Sequence, residues 1–551
     1  MSVTKYFAEE KIWRSPTEHT WMFSEKANLG RIILEVLNRH SPKVIQISDD
    51  SGVRMTNREI ASDAEKIAVG LHQRGAKQGD VVGFVARNGS YLTTALIACF
   101  YLDLPINALD VTQNEDEIYS IFRITKPKFI FCDDDMVYVA HKILKRLQSS
   151  ADIVVIGNDM SGDVNIEELM QEGDSDDMKK KIYEESLKDI ESKYQIIVCS
   201  SGTTGSPKAV ALPYHSAIRR HWFTDINSDP SHVFFSFCPP FWSLFFVNLL
   251  TCLLSGVVRV ITTAPFSPEI YVNIVEKYKV THTLISPIYL NSALESTRIT
   301  PKSFLSLRTI LCIGSLTTDD LVRKLGIYAL HGKLFIAYGM SELGSIANYL
   351  YEPPKKVCVG ILAPGNESVV IAENGDRLGP GETGELCFRT PHQMIEYIEN
   401  PEATKNSFTN DGFFRTGDLG FYSHDGFLHI VGRCKDLIKY FMSHVSCSEI
   451  EKVIKTLPGV RDATVVGISD ATCYQLPAAV VARRKNFTIS ANDIYEIVAK
   501  NLPDSHKLRG GIYFVDDIQV TSTGKHKKRE IEKYATKMFE MLKSNNDYKS
   551  A

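Results

Sequence analysis

Short β-branched runs alternate with helical patterns along most of this chain, and that alternation limits its fold more than any other feature. Asp80-Val81-Val82-Gly83-Phe84-Val85 reads as a strand after a helix covering about Asn57 to Arg74. Phe129-Ile130-Phe131-Cys132, Asp152-Ile153-Val154-Val155-Ile156 and Ile196-Ile197-Val198-Cys199 read as further strands. Strands separated by helices argue an α/β architecture with largely parallel sheets. Residues Met160 to Lys193, rich in Asp, Glu, Lys and Ser, read as a solvated surface segment joining two parts of one large domain. From about Leu386 to Val431 the pattern changes to short strands with Asp411-Gly412, Gly417-Asp418 and Asp425-Gly426 turns, so a β-rich sub-region is expected. After Gly432-Arg433-Cys434-Lys435-Asp436 the chain starts again. A helix from about Ser448 to Leu457 and strands at Ala463–Ile468 and Ala478–Ala482 predict a compact α+β unit. The expected domains are therefore 1–434 and 435–551, divided at Lys435.

At 551 residues the chain is too long for one core, which agrees with two or more domains. A formal charge of −4 leaves no basic excess for nucleic acid or an anionic membrane. The 11 cysteines are scattered without zinc spacing, as in a reducing compartment. Phe245 to Ile261 is the longest apolar stretch, but Asn248, Thr251, Ser255 and Arg259 interrupt it, so no transmembrane segment is expected. Met1 to Lys11 has no apolar core of the signal-peptide kind, and Lys549-Ser550-Ala551 is not a Ser-Lys-Leu ending. An intracellular protein, cytoplasmic or peroxisomal, is the expectation.

Four clusters carry chemistry. Ser200-Ser201-Gly202-Thr203-Thr204-Gly205-Ser206-Pro207-Lys208 follows a strand. Its glycines let the backbone turn tightly and expose N–H groups, and its hydroxyls and lysine add donors, which suits a polyphosphate. Pro207 and Ala209 exclude a Walker A loop. Tyr338-Gly339-Met340-Ser341-Glu342 places a hydroxyl and a carboxylate at a strand's end, where they can meet a phosphate and Mg²⁺. By itself such a pentapeptide is commonly a strand-to-helix turn. Arg415-Thr416-Gly417-Asp418 sets a carboxylate beside a turn, suited to two ribose hydroxyls. Thr521-Ser522-Thr523-Gly524-Lys525 carries a lysine on a glycine loop, within reach of a phosphate.

In this order the four clusters resemble the adenylate-forming superfamily of acyl-CoA synthetases, peptide-synthetase adenylation domains and beetle luciferases. Thr56–Ile60, Gly379–Leu386, Asn400-Pro401-Glu402-Ala403-Thr404 and Val431–Lys439 extend the resemblance over nearly the whole chain. Asn400-Pro401-Glu402-Ala403-Thr404 and Asp436-Leu437-Ile438-Lys439-Tyr440 look most like the branch holding 4-coumarate–CoA ligases and insect luciferase-like proteins. The resemblance implies activation of a carboxylic acid with ATP and Mg²⁺ to an acyl-AMP, then transfer to coenzyme A. It also implies that the small C-terminal domain is mobile. No obligate protein partner is implied. By the same resemblance Ser201, Gly202, Thr203, Thr204, Gly205 and Lys208 hold the β- and γ-phosphates, with Thr204 near the metal. Ser341 touches the α-phosphate and Glu342 holds Mg²⁺. Gly314, Ser315, Leu316, Tyr338 and Gly339 lie along the adenine and acyl group. Asp418 takes the ribose, with Arg433 beside it. Lys525 bridges α-phosphate and substrate carboxylate, Lys435 is the hinge, and Lys439 serves the thiol step.

Three positions depart from the family pattern. Trp242, in Cys238-Pro239-Pro240-Phe241-Trp242-Ser243, takes the place of a pocket histidine. With Phe234, Phe235, Phe237, Phe245 and Phe246 it forms an aromatic group, mostly core, in which Trp242 is the expected pocket residue for a fatty or aryl acid. Met442 stands where a glycine lets pantetheine pass, and Cys447 where a proline follows. Ala209 replaces a glycine. Two other outcomes share the first step: a luciferase-like oxygenase that consumes the acyl-AMP, and an adenylate-binding protein impaired in the CoA step.

Overall fold

The computed structural model describes residues 3–17, 23–24, 26–157, 164–200, 208–213, 231–315, 317–329, 331–352, 358–440, 443–470, 472–485, 487–520 and 525–547. Four sheets organise them. An eight-stranded sheet runs in the order Glu396–Tyr397, Lys208–Leu212, Ile196–Ser200, Ile106–Ala108, Val82–Val85, Phe129–Cys132, Asp152–Val155, Val164–Asn165. From Ile196–Ser200 to the far edge its pairs are parallel; the first two pairs are antiparallel. A nine-stranded sheet has a parallel centre of Val44–Ser48, Val258–Ile261, Val233–Phe235, His282–Ile285, Thr309–Cys312 and Lys333–Met340, with antiparallel edges. The α/β architecture expected from strand–helix alternation is thus present.

The largest core joins these two sheets through helices Leu29–Arg39, Asn57–Gln73, Leu92–Tyr101 and Ser243–Ser255. Every residue of Leu92–Tyr101 is buried, as a helix that is apolar on all sides must be. Asn57–Gln73 starts at a capping box in which Thr56 and Glu59 satisfy each other's backbone N–H groups. Among the described residues no helix is long and apolar enough to cross a membrane.

The segment read as a solvated surface connection is instead structural over much of its length. Helices Ile166–Glu172 and Asp176–Ser186 occupy it, and Ile166, Leu169 and Ile182 are buried in the largest core. Asn165 and Glu168 form a capping box that starts the first helix. Two apolar residues at i, i+3 on the first helix and one on the second dock a pair of otherwise charged helices against the protein.

The β-rich sub-region is an antiparallel six-stranded sheet in the order Lys5–Phe7, Ile12–Arg14, Glu367–Ile371, Gly384–Arg389, Phe414–Tyr422, Leu428–Arg433. Arg14 ties its early strands to the later ones through Glu367, at 2.7 Å. The C-terminal part is smaller and α+β. Its sheet contains Ser443–Ser446, Leu437–Tyr440, Tyr474–Arg483 and Val460–Asp470, with Ile512–Val515 parallel to Tyr474–Arg483. Ser448 Oγ donates to the Val431 carbonyl at 2.7 Å, and Arg484 pairs with Glu295 at 2.9 Å, so this part touches the larger one at two separate places.

Candidate functional site

The edges of three sheets bring the motif residues together. Strands Ile196–Ser200 and Lys208–Leu212 pair antiparallel with Ser200 opposite Lys208. Ser201, Gly202, Thr203, Thr204 and Gly205 lie outside the described residues. Lys208 is half-buried, and its ammonium stands 4.6 Å from the centroid of the Tyr397 ring. Tyr397 reaches this position because Glu396–Tyr397 adds to the edge of the same sheet, Tyr397 opposite Val210. Its hydroxyl donates to Glu342 Oε1 at 3.1 Å. Burial, followed by the charge of Glu342, pushes the Tyr397 hydroxyl well above the usual phenol range, so it stays protonated as a donor. Glu342 is only 6% exposed, and its carbonyl accepts from Met394 N at 2.6 Å. Lys208, Tyr397 and Glu342 therefore form one continuous stack. Tyr397 was not among the residues singled out from sequence; its only signal is its place three residues before the Asn400-Pro401 motif.

The pentapeptide Tyr338–Glu342 does not lead into a helix. Strand Lys333–Met340 runs through Met340, turns over Ser341–Leu343 and returns as Gly344–Leu350. The pairing shifts register at Tyr338/Gly339. A Cβ on Gly339 would lie 2.3 Å from the Gly344 carbonyl oxygen, so only glycine fits there. Ser341 is half-buried in the turn.

Tyr338 donates its hydroxyl to Asp418 Oδ2 at 2.5 Å, and Arg433 Nε meets Asp418 Oδ1 at 2.9 Å. Asp418 is thereby held by the ends of two different sheets. It does not sit at a simple turn: Arg415-Thr416-Gly417-Asp418 lies within strand Phe414–Tyr422, where the pairing with Gly384–Arg389 slips and Gly417 adopts φ +69°. Asp418 is directly opposite Arg433 on Leu428–Arg433. Burial opposes the Arg433 charge, but Asp418 outweighs it and holds the guanidinium above its ordinary pKa.

Lys525 completes the group. Its side chain is reachable by solvent, yet surrounding protein partly desolvates the ammonium. That desolvation, followed by the positive charge of Arg433, lowers its pKa; Asp418 and Glu342 pull the other way. The ammonium thus lies in the combined field of residues from two of the other motifs and of Arg433. The residues that follow Lys525 are pinned by neighbours not anticipated from sequence. His526 Nε2 meets Asp462 Oδ2 at 2.7 Å, and Lys528 bridges Asp436 and Glu451 at 2.9 and 3.7 Å.

The other expected residues are dispersed. Gly314, φ +107°, follows strand Thr309–Cys312, with Ser315 exposed beside it; Leu316 is outside the described residues. Lys435 sits in a single turn, Cys434–Asp436, and Lys439 in strand Leu437–Tyr440 opposite His444; neither side chain is among those described. Met442 also lies outside. Cys447 is buried as the first residue of helix Cys447–Ile454, a position that favours proline because no N–H is needed there. Trp242 stands immediately before helix Ser243–Ser255 and packs, half-buried, on the largest core. Phe234, Phe235, Phe245 and Phe246 are buried, so most of that aromatic run is core, as expected. Among the described residues no three His, Cys, Asp or Glu side chains converge on one point.

The family model described as AMP-binding enzyme matches residues 34–398, and that described as AMP-binding enzyme C-terminal domain matches 449–525. A probable 4-coumarate–CoA ligase 3 of Dictyostelium discoideum is 26% identical over 92% of this chain and 95% of its own length. The luciferin 4-monooxygenase of Photinus pyralis is 25% identical over 93% and 95%. ATP-bound MatB from Rhodopseudomonas palustris superposes with a TM-score of 0.79 at 22% identity, over 93% of this chain and 99% of that one, a likeness of fold.

Proposed function

The chain belongs to the AMP-binding enzyme family, and from that premise we propose that it activates an apolar carboxylic acid with ATP and passes the acyl group to coenzyme A. The observation that carries the reading is Asp418 fixed between the Tyr338 hydroxyl and the Arg433 guanidinium, with Lys525 near enough to feel the charges of Asp418, Arg433 and Glu342. A substrate carboxylate oxygen attacks the α-phosphorus, forming a P–O bond, while the bond to the β-phosphate oxygen breaks and pyrophosphate leaves. The carboxylate is already ionised, so no general base is needed. Lys525 stabilises the negative charge that gathers on the phosphoryl oxygens. Asp418 takes the ribose hydroxyls, its orientation set by Tyr338 and Arg433. Ser341 meets the α-phosphate. Lys208 and the Ser201, Gly202, Thr203, Thr204 and Gly205 loop hold the β- and γ-phosphates. Gly314, Ser315, Leu316 and Gly339 border the adenine and acyl group, and Trp242 walls the acyl pocket.

The donor set fits magnesium. That ion takes one or two carboxylates plus phosphate oxygens and water, rather than a dedicated protein cage. Glu342 supplies a buried carboxylate fixed by Tyr397, and Thr204 supplies a hydroxyl. When bound, the ion neutralises phosphate charge.

For the second step we place the domain boundary and hinge at Lys435, separating 1–434 from 435–551. Rotation there withdraws Lys525 and brings Lys439 toward the thiol. Support comes from similarity to the 4-coumarate–CoA ligase of Dictyostelium. Similarity to the Photinus luciferin 4-monooxygenase keeps an oxygenase as the rival second step, and Trp242 in place of the pocket histidine weighs against it. The test is ATP–pyrophosphate exchange over a panel of acids, with and without CoA. Exchange with octanoate or a cinnamate, and thioester once CoA is added, is the expected result. No exchange with any acid refutes adenylation. Exchange without thioester refutes only the CoA step.

A further inference from the structure

Beneath helix Ser243–Ser255 lies a small cavity lined by none of the residues placed in the adenylation site. Its polar lining is Asn88, Ser236, Asn248 and Arg259. Arg259 belongs to a central strand of the nine-stranded sheet, between Val233–Phe235 and Val44–Ser48, and is 6% exposed. A guanidinium cannot shed its charge at neutral pH, so a buried one needs a counter-charge. Here its partners are neutral. Nη2 donates to Thr93 Oγ1 at 2.9 Å, Asn88 Oδ1 at 3.2 Å and Gln46 Oε1 at 3.4 Å. Phe245 offers only a distant ring face, 5.5 Å from the guanidinium carbon. Among the described residues no carboxylate forms an ion pair with it, and burial holds the neighbouring Cys252 thiol up to about 12, so no thiolate forms there.

A second side chain makes the same demand. Asn248 is 4% exposed, and both its amide nitrogen and its amide oxygen lack a hydrogen-bond partner among the described residues. Ser236 has no proton left for the Asn248 amide oxygen, because its hydroxyl donates to the Leu284 carbonyl at 2.8 Å; it also accepts from Cys238 N at 3.0 Å. A water would satisfy the Asn248 amide but would leave the Arg259 charge uncompensated. The void has room for roughly one water-sized group.

We propose that this cavity binds one anionic atom of about chloride's size, held by the Arg259 guanidinium and the Asn248 amide N–H. Two sources supply that chemistry: a free halide, or one oxygen of a carboxylate at the far end of an acyl substrate.

The first arm of the test uses the full chain. Thermal unfolding is followed while sodium chloride replaces sodium gluconate at constant ionic strength, since gluconate is too large for the void. Chloride should stabilise saturably; a tenfold excess over its dissociation constant raises the folded-to-unfolded ratio about 11-fold. Bromide should give an anomalous scattering peak beside Arg259 in crystals. Arg259→Met and Asn248→Leu should each abolish the chloride response, and Asn248→Leu serves if Arg259→Met does not fold. The second arm rests on the adenylation reading: pyrophosphate exchange in chloride-free buffer, comparing dicarboxylic with monocarboxylic acids of equal length. Preference for the dicarboxylic acid, lost in Arg259→Met and inhibited by chloride, assigns the anion to the substrate. Saturable chloride stabilisation without that preference assigns it to a free halide. No chloride response, no bromide peak and no dicarboxylate preference overturn the proposal, whether or not monocarboxylic acids are adenylated.

Discussion

Replacing Tyr397 by phenylalanine removes one hydroxyl and leaves the ring in place. The hydroxyl is the donor to buried Glu342 Oε1. A hydrogen bond to a charged group is worth about 1.5–3 kcal/mol, and its loss, if fully expressed in the transition state, is roughly a 10- to 150-fold fall in rate. The ring face under Lys208 survives in Tyr397→Phe but not in Tyr397→Leu. A cation–π contact of about 0.5–1 kcal/mol makes the leucine variant slower by a further factor of roughly 2–5. The assay is pyrophosphate exchange with magnesium titrated at fixed ATP, with circular dichroism to check the fold. A carboxylate that has lost its orienting donor should need more magnesium, so the half-saturating concentration should rise as well as the rate fall. If Tyr397→Phe stays within twofold of wild type at every magnesium concentration, the stack from Lys208 through Tyr397 to Glu342 plays no part in holding the nucleotide.

Lys525→Ala should slow acyl-AMP formation by roughly two to three orders of magnitude while ATP still binds, read by exchange and by nucleotide titration. Because the Lys525 pKa is lowered, its ammonium is lost as pH rises at a lower pH than an ordinary lysine. The alkaline limb of kcat/KM should therefore begin early and move upward in Lys525→Arg. Trp242→Ala should shift the acid preference toward longer or bulkier chains, each buried methylene contributing about 0.8 kcal/mol; an unchanged acid profile would assign Trp242 to the core alone. Lys435→Pro should spare adenylation and slow thioester formation, since proline fixes φ at the hinge; equal loss in both half-reactions, measured by rapid quench, would refute the hinge. Met442→Gly should speed the thioester step selectively, and no change in either half-reaction would show that the methionine is accommodated.

Residue patterns read locally were legible, and those that depend on distant registry were not. The strands at Val82–Val85, Phe129–Cys132 and Asp152–Val155 emerge where their β-branched runs predict them, because buried parallel strands leave a continuous apolar signature. Glu342, Asp418, Arg433 and Lys525 were each visible as parts of separate motifs. Their meeting was implied by family resemblance, and no local pattern contains it: Asp418 faces Arg433 only through the slipped pairing of two strands. Tyr397 escaped because its role comes from an edge strand of two residues, too short to leave a periodic trace. The helices at Ile166–Glu172 and Asp176–Ser186 escaped for a different reason. Their charged composition outweighs the three buried residues that anchor them. The pentapeptide at Tyr338 was ambiguous because a strand's end looks alike whether a helix or another strand follows.

Arg14 and its partner Glu367 are 353 residues apart in sequence. On a ribosome adding about 5–20 residues per second, roughly 20–70 s separate their emergence. For that interval the early hairpin, Lys5–Arg14, has no sheet to join, and Ile12 and Trp13, buried in the finished protein, have nothing to cover them. Its open edge can pair with another nascent chain as readily as with its own late strand. Slower translation prolongs that exposure, and a chain stopped before Glu367–Ile371 never ends it. The yield of this protein in a cell should therefore depend on elongation rate and on holdase chaperones that shield the first strands, more than on the stability of the completed fold.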